Sequence, residues 1–104
     1  MKIDIKGTNM ELTEAIKDYV NEKIGSLEKF FDNIIEARVD VGKTTNHHQK
    51  GDVFRAEVNL QVPQTLLRAE SEREDLYIAI NEVKEEIQRQ LKKYKEKMRG
   101  NVKF

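Results

Sequence analysis

The 104 residues predict an α+β fold of order β-α-β-β-β-α, a four-stranded sheet with two helices packed on one face. Three observations carry that expectation. Four stretches alternate apolar and polar side chains, the period of a half-buried strand. Two longer stretches repeat apolar residues at intervals of three and four, the period of an amphipathic helix. Every predicted strand keeps one polar face, so helices can cover only one side of the sheet.

The first strand runs from Met1 to Gly7, with Ile3 and Ile5 opposed to Lys2, Asp4 and Lys6, and Gly7 to Asn9 form a turn. Thr13 is placed to cap a helix, with Glu14 in its first turn. The stripe Ile16, Val20, Ile24, Leu27, Phe31 carries that helix to Asp32 and Asn33, across Gly25, which costs about 1 kcal/mol relative to alanine unless another backbone packs there. Ile35, Ala37, Val39 and Val41 alternate with Glu36, Arg38 and Asp40. Val53 to Val62 does the same, with Gly42 to Gly51 as a long polar loop between. Pro63 and Gln64 turn the chain into a strand from Leu66 to Glu72. The last helix, Glu74 to Arg99, has the stripe Leu76, Ile80, Val83, Ile87, Leu91, Tyr94, Met98; Gly100 stops it, and residues 101–104 form a tail. A helix between the first two strands implies a right-handed crossover and parallel pairing, followed by an antiparallel meander. Residues 1–100 make one domain.

Composition narrows the function. Nineteen basic residues balance nineteen acidic ones, and the pI is about 6.7, well under the value of about 9 that marks a nucleic-acid-binding domain as a whole. Only a local patch is left to bind a polyanion. The absence of cysteine removes disulfides, thiolate metal sites and cysteine nucleophiles. No stretch approaches the ~18 apolar residues of a membrane span. A soluble, cytoplasmic protein is expected.

The local patch lies at the end of the last helix. Between Lys84 and Lys103 there are eight Lys or Arg and three Glu, whereas acids (Glu74, Asp75, Glu82, Glu85, Glu86) crowd its start. Lys84, Gln88, Lys92, Lys95 and Arg99 form one ridge, and Arg89, Lys93 and Lys97 another. Such rows suit the phosphates of a nucleic-acid backbone. They equally suit the negative end of a helix dipole and a solvated helix face, and the residues alone leave both readings open. Lys23 and Lys29 extend the patch if the two helices pack side by side.

Other candidates carry less. His47 and His48 are neighbours in the long loop, with only Asp52 as a nearby carboxylate, a poor metal-ligand set. Asp75 is expected in the first turn of its helix from the dipole alone, and Tyr77 at the core edge with its hydroxyl seeking a partner. The carboxylate pairs Glu70/Glu72 and Glu85/Glu86 sit on exposed faces without a histidine or apolar pocket. There is no Gly-rich phosphate loop, nucleophile–base pair or cofactor motif, so neither an enzyme nor a cofactor is expected. A protein-interaction or transcription-modulating module, using the polar sheet face or an edge strand, and a generic double-stranded RNA binder remain the alternatives.

Three stretches carry a resemblance. They are Gly7 to Lys23 (GTNMELTEAIKDYVNEK), Leu67 to Asn81 (LRAESEREDLYIAIN) and Glu86 to Lys97 (EIQRQLKKYKEK). In order and at this spacing, the chain resembles the ribosome hibernation promoting factor family, which includes the ribosome-associated inhibitor A proteins. The resemblance implies the same β-α-β-β-β-α fold, similar to double-stranded RNA-binding domains. It implies binding in the cleft of the small ribosomal subunit, over the decoding region, blocking messenger RNA and transfer RNA in stationary phase or stress. The implied partners are 16S-type rRNA and neighbouring ribosomal proteins, with no membrane, no small-molecule substrate and a monomer off the ribosome. Carried over by position, the rRNA contacts are Lys23, Lys29, Arg89, Lys92, Lys93, Lys95 and Lys97. Glu86 stands where many relatives have lysine, which starts the patch a turn later. Nothing in the chain resembles the second domain of long family members, so it is expected to be a short-type protein or the N-terminal domain of a long one.

Overall fold

A computed structural model describes residues 1–44 and 51–100, with side chains in the last helix described as far as Met98. The order is β1 (Lys2–Thr8), α1 (Glu14–Gly25), a 3-10 turn (Ser26–Lys29), β2 (Glu36–Thr44), β3 (Val53–Val62), β4 (Thr65–Arg73) and α2 (Leu76–Gly100). The sheet order is β1-β2-β3-β4. As expected, β1 pairs with β2 in parallel, from Lys2 opposite Glu36 to Thr8 opposite Gly42. The β2–β3 and β3–β4 pairs are antiparallel. Strand alternation sends Ala37, Val39, Val41, Ala56, Val58, Leu60, Val62, Leu67 and Ala69 to one face, all of them buried.

Both helices cover that face. Val20, Ile24 and Leu27 from the first helical segment and Ile80, Val83, Ile87 and Leu91 from α2 are essentially solvent-free. Each such side chain contributes about 1.5–3 kcal/mol by leaving water, which is what seats α2 on β3 and β4. Both helix starts are capped. The Thr13 hydroxyl accepts from the Ile16 N–H at 3.2 Å, and the Asp75 carboxylate accepts from the Tyr77 N–H at 2.9 Å. Asp75 therefore precedes the helix as its cap and does not lie inside the first turn.

Four boundaries depart from the sequence expectation, each for a local reason. The first α-helix ends at Gly25 and tightens into the 3-10 turn, where the Ser26 hydroxyl donates to the Lys23 carbonyl at 2.6 Å and competes with the helical ladder. Ile34, not Ile35, enters the core: Ile35 is 55% exposed, because regular pairing starts only at Glu36 and the Ile35 N–H bonds the Gln61 carbonyl. Gly42 is not a loop boundary. It pairs with Arg55 inside β2, and a Cβ there would lie 2.7 Å from the Thr8 carbonyl oxygen, so the parallel neighbour's approach requires glycine. The predicted loop thus narrows, and His47 and His48 lie outside the described residues.

The fourth departure bears on function. The α2 stripe is buried through Leu91 and half-buried at Tyr94, but Met98 is 47% exposed. The Tyr94 hydroxyl donates to the Pro63 carbonyl at 2.8 Å. Pro63 and Gln64 form the β3–β4 turn, with Gln64 at φ +67°, as a Pro-led type II turn needs. At Tyr94 the helix has therefore reached the end of the sheet, and its last turns run past it.

Candidate nucleic-acid interface

The two helices lie side by side and run in the same direction. Tyr19 meets Tyr77 edge to face at 4.8 Å between centroids, and Phe31 meets Tyr94 likewise at 5.5 Å. The condition set for Lys23 and Lys29 is met, since both stand on the segment flanking α2. Lys23 is half-buried with its ammonium 5.5 Å from the Tyr19 ring centroid, a cation–π distance. Lys29 is exposed at the end of the 3-10 turn.

The five α2 candidates differ in what they have left to offer a ligand. Lys92, Lys93 and Lys97 are exposed and have no ion pair among the described residues. Lys95 is half-buried, and its ammonium donates to the Phe30 carbonyl, tying α2 to the end of the 3-10 turn. Arg89 is exposed but paired with Glu86 one turn earlier. The two ridges also face different ways. Gln88, Lys92 and Lys95 border a groove with Phe30, toward α1. Arg89 borders a surface with Glu70, Glu82, Glu85 and Glu86, toward β4. Lys23, Lys29, Lys92 and Lys95 thus gather on the α1 side, and Arg89, Lys93 and Lys97 follow the other ridge. Lys84 joins Arg89, Lys92 and Gln88 around a further shallow surface. Its place on the same ridge as Lys92 was visible in the spacing, yet it was not among the chosen residues. Phe30 also borders the α1 side, and nothing in its spacing beside the helical stripe announces that place.

The acids at the front of α2 hold the helix to the sheet. Glu82 accepts from the Ser71 hydroxyl at 2.6 Å and pairs with Arg73 at 3.0 Å. Glu86 accepts from Gln90 at 3.0 Å, and Gln90 also donates to the Arg68 carbonyl. Tyr77 is 40% exposed, with its ring against Tyr19; it is an edge residue, as expected.

The outer face of the sheet is of mixed sign. Arg55 reaches Glu70 at 2.5 Å and Glu57 at 3.3 Å, while Arg68 bonds Glu57 at 2.6 Å. The Glu70 hydrogen bond raises the Arg55 pKa despite partial burial. Partial burial of Glu57 works against its charge, but the Arg68 hydrogen bond and the Arg55 charge outweigh it and hold its pKa below the ordinary value. A depressed carboxylate stabilises the fold above its unfolded pKa and loses that contribution as pH falls through the folded one. Glu57→Gln should therefore cost on the order of 1 kcal/mol at neutral pH. In urea melts the gap to wild type should narrow as pH falls below the ordinary glutamate range and close as it passes through the lower folded pKa. A gap independent of pH would mean that the carboxylate charge is not what matters. No group of three or more potential metal ligands occurs among the described residues, and none of their helices is long and apolar enough to cross a membrane.

Residues 3–99 match the family model described as Sigma 54 modulation protein / S30EA ribosomal protein. The chain is 38% identical over its whole length to the Ribosome hibernation promotion factor of Bacillus subtilis, covering 52% of that protein. It is 37% identical over 96% of its length to the Ribosome hibernation promoting factor of Pseudomonas putida, covering 92% of it. It spans about half the length of the first of these relatives and nearly all of the second. Among solved structures, the N-terminal domain of Thermus thermophilus Protein Y superposes with a TM-score of 0.73 at 32% identity, over 90% of this chain and 99% of that one. A ribosomal subunit interface protein from Coxiella burnetii gives 0.78 at 20% identity, over 91% and 98%, a likeness of fold.

Proposed function

The chain belongs to the family described as Sigma 54 modulation protein / S30EA ribosomal protein, and from that premise we propose that it is a ribosome hibernation factor. It binds the small ribosomal subunit near the decoding region and, by occupying the path of messenger RNA and transfer RNA, silences translation in stationary phase or stress. Its family is one of ribosome-associated factors and not of enzymes; the action is occlusion, in the cytoplasm, by a monomer. The observation that carries this reading is the last three turns of α2, where Lys92, Lys93 and Lys97 stand exposed without an ion pair among the described residues. Such ammoniums suit backbone phosphates, which need charge and reach but no catalytic geometry. Lys23, Lys29, Arg89 and Lys95 complete the proposed rRNA surface. For Arg89 and Lys95, contact requires exchange of their present partners, Glu86 and the Phe30 carbonyl.

Co-sedimentation with purified small subunits tests the proposal. The protein should pellet with them at low salt and be released steeply as salt rises, since each neutralised phosphate returns counterions to solution. Failure to co-sediment at low salt would sink it. The family description also names sigma 54 modulation, which favours transcription control as the second reading. Co-purification of a protein partner without ribosomal RNA would select that reading instead.

A further inference from the structure

The patch contains an aromatic side chain that keeps an open face. Phe30 is 39% exposed. Tyr19, Tyr77, Phe31 and Tyr94 pair with one another, but Phe30 has no aromatic partner among the described residues. It borders a groove of about 340 Å³ with Gln88, Lys92, Lys95 and Glu96, within the range of small-ligand sites. Its backbone is held in place, because its carbonyl accepts the Lys95 ammonium.

The chemistry around the ring is selective. Phosphate alone would be served by lysines and repelled by Glu96. An apolar protein side chain would leave the exposed Glu96 and the half-buried Gln88 to water alone. A nucleobase satisfies all of them: its π face lies on Phe30, its edge meets the amide of Gln88, and its exocyclic amine donates to the Glu96 carboxylate. The flanking phosphates fall to Lys92 and Lys29, the residue preceding Phe30. We infer that Phe30 is a stacking platform for one unpaired base of the bound RNA. The assignment rests on the rRNA-binding reading above and adds to it a base contact between two backbone contacts. Single-stranded RNA segments are recognised in this way, by splaying bases onto aromatic side chains.

The test compares wild type, Phe30→Ala, Phe30→Leu, Phe30→Trp and Lys92→Glu for affinity to purified small ribosomal subunits at one salt concentration, with thermal melts for each. Stacking predicts that Phe30→Ala and Phe30→Leu each bind roughly ten- to hundredfold more weakly, while Phe30→Trp binds as wild type or tighter, with melting temperatures little changed. Should Phe30→Ala melt early, the Leu and Trp variants decide, since both fill the site and only one has a π face. If Phe30→Leu binds as wild type, the contact is merely apolar and the stacking assignment is wrong. If Lys92→Glu weakens binding but no Phe30 variant does, the interface stands and the base contact falls. If wild type itself does not bind, the functional reading fails and takes the base contact with it.

Discussion

Leu91→Ala will destabilise the protein by about 2–5 kcal/mol, the cost of emptying a fully buried leucine site. In a domain of this size each kcal/mol lowers the melting temperature by roughly 4–8 °C, so thermal or urea unfolding will read the loss directly. Leu91 is solvent-free and is the last fully buried residue of the stripe before the helix outruns the sheet. The strands beneath α2 cannot readily close the gap, because β3 is paired on both sides. A loss under about 1 kcal/mol, the level of a surface change, would contradict the seating of α2 described above.

Reversing Lys92 and Lys93 together to glutamate will have the opposite profile. Both are exposed and make no ion pair among the described residues, so stability should stay within about 0.5 kcal/mol of wild type. Affinity for small subunits should fall roughly a hundredfold or more. The slope of log affinity against log salt should shallow by about two, one for each lost phosphate contact. A protein that melts early yet binds normally would make these lysines structural and remove the main support for the proposed interface. The two substitutions separate two parts of α2: Leu91 anchors the helix, and the lysines just beyond it are the proposed contacts to the ligand.

The strands were readable because their two faces meet different surroundings. Alternation in Ala37–Val41 and Val53–Val62 set both register and sidedness, and the crossover rule supplied the parallel β1–β2 pair. What escaped the reading depended on residues distant in the chain. Nothing near Gly42 announces that Thr8 will press against it. Nothing near Met98 shows that the sheet ends at Pro63, which is known only once Tyr94 reaches that carbonyl. The stripe was extended through Gly25 with an ideal helical period, and the 3-10 turn that follows leaves Phe30 on the surface. Within the patch, pairing of Arg89 with Glu86 was latent in their spacing of three, whereas the bond from Lys95 to the Phe30 carbonyl, 65 residues away, was not.

The sorting of charge along α2 changes what neutrality means for this molecule. A 25-residue helix spans roughly 37 Å at 1.5 Å per residue, several times the screening distance of about 8 Å in physiological salt. The far ends of the helix are therefore screened from each other, although the acidic and basic segments meet and pair at Glu86 and Arg89. A polyanion approaching the basic end experiences a cation, and one approaching the start experiences an anion. The balance of nineteen against nineteen is an accountant's figure that no partner at close range can sense. On the proposed reading, the field of a polyanionic ligand would turn the protein before contact, drawing one end of the helix in and holding the other away. The polarity of the proposed docking would thus be written into a chain whose total charge is zero.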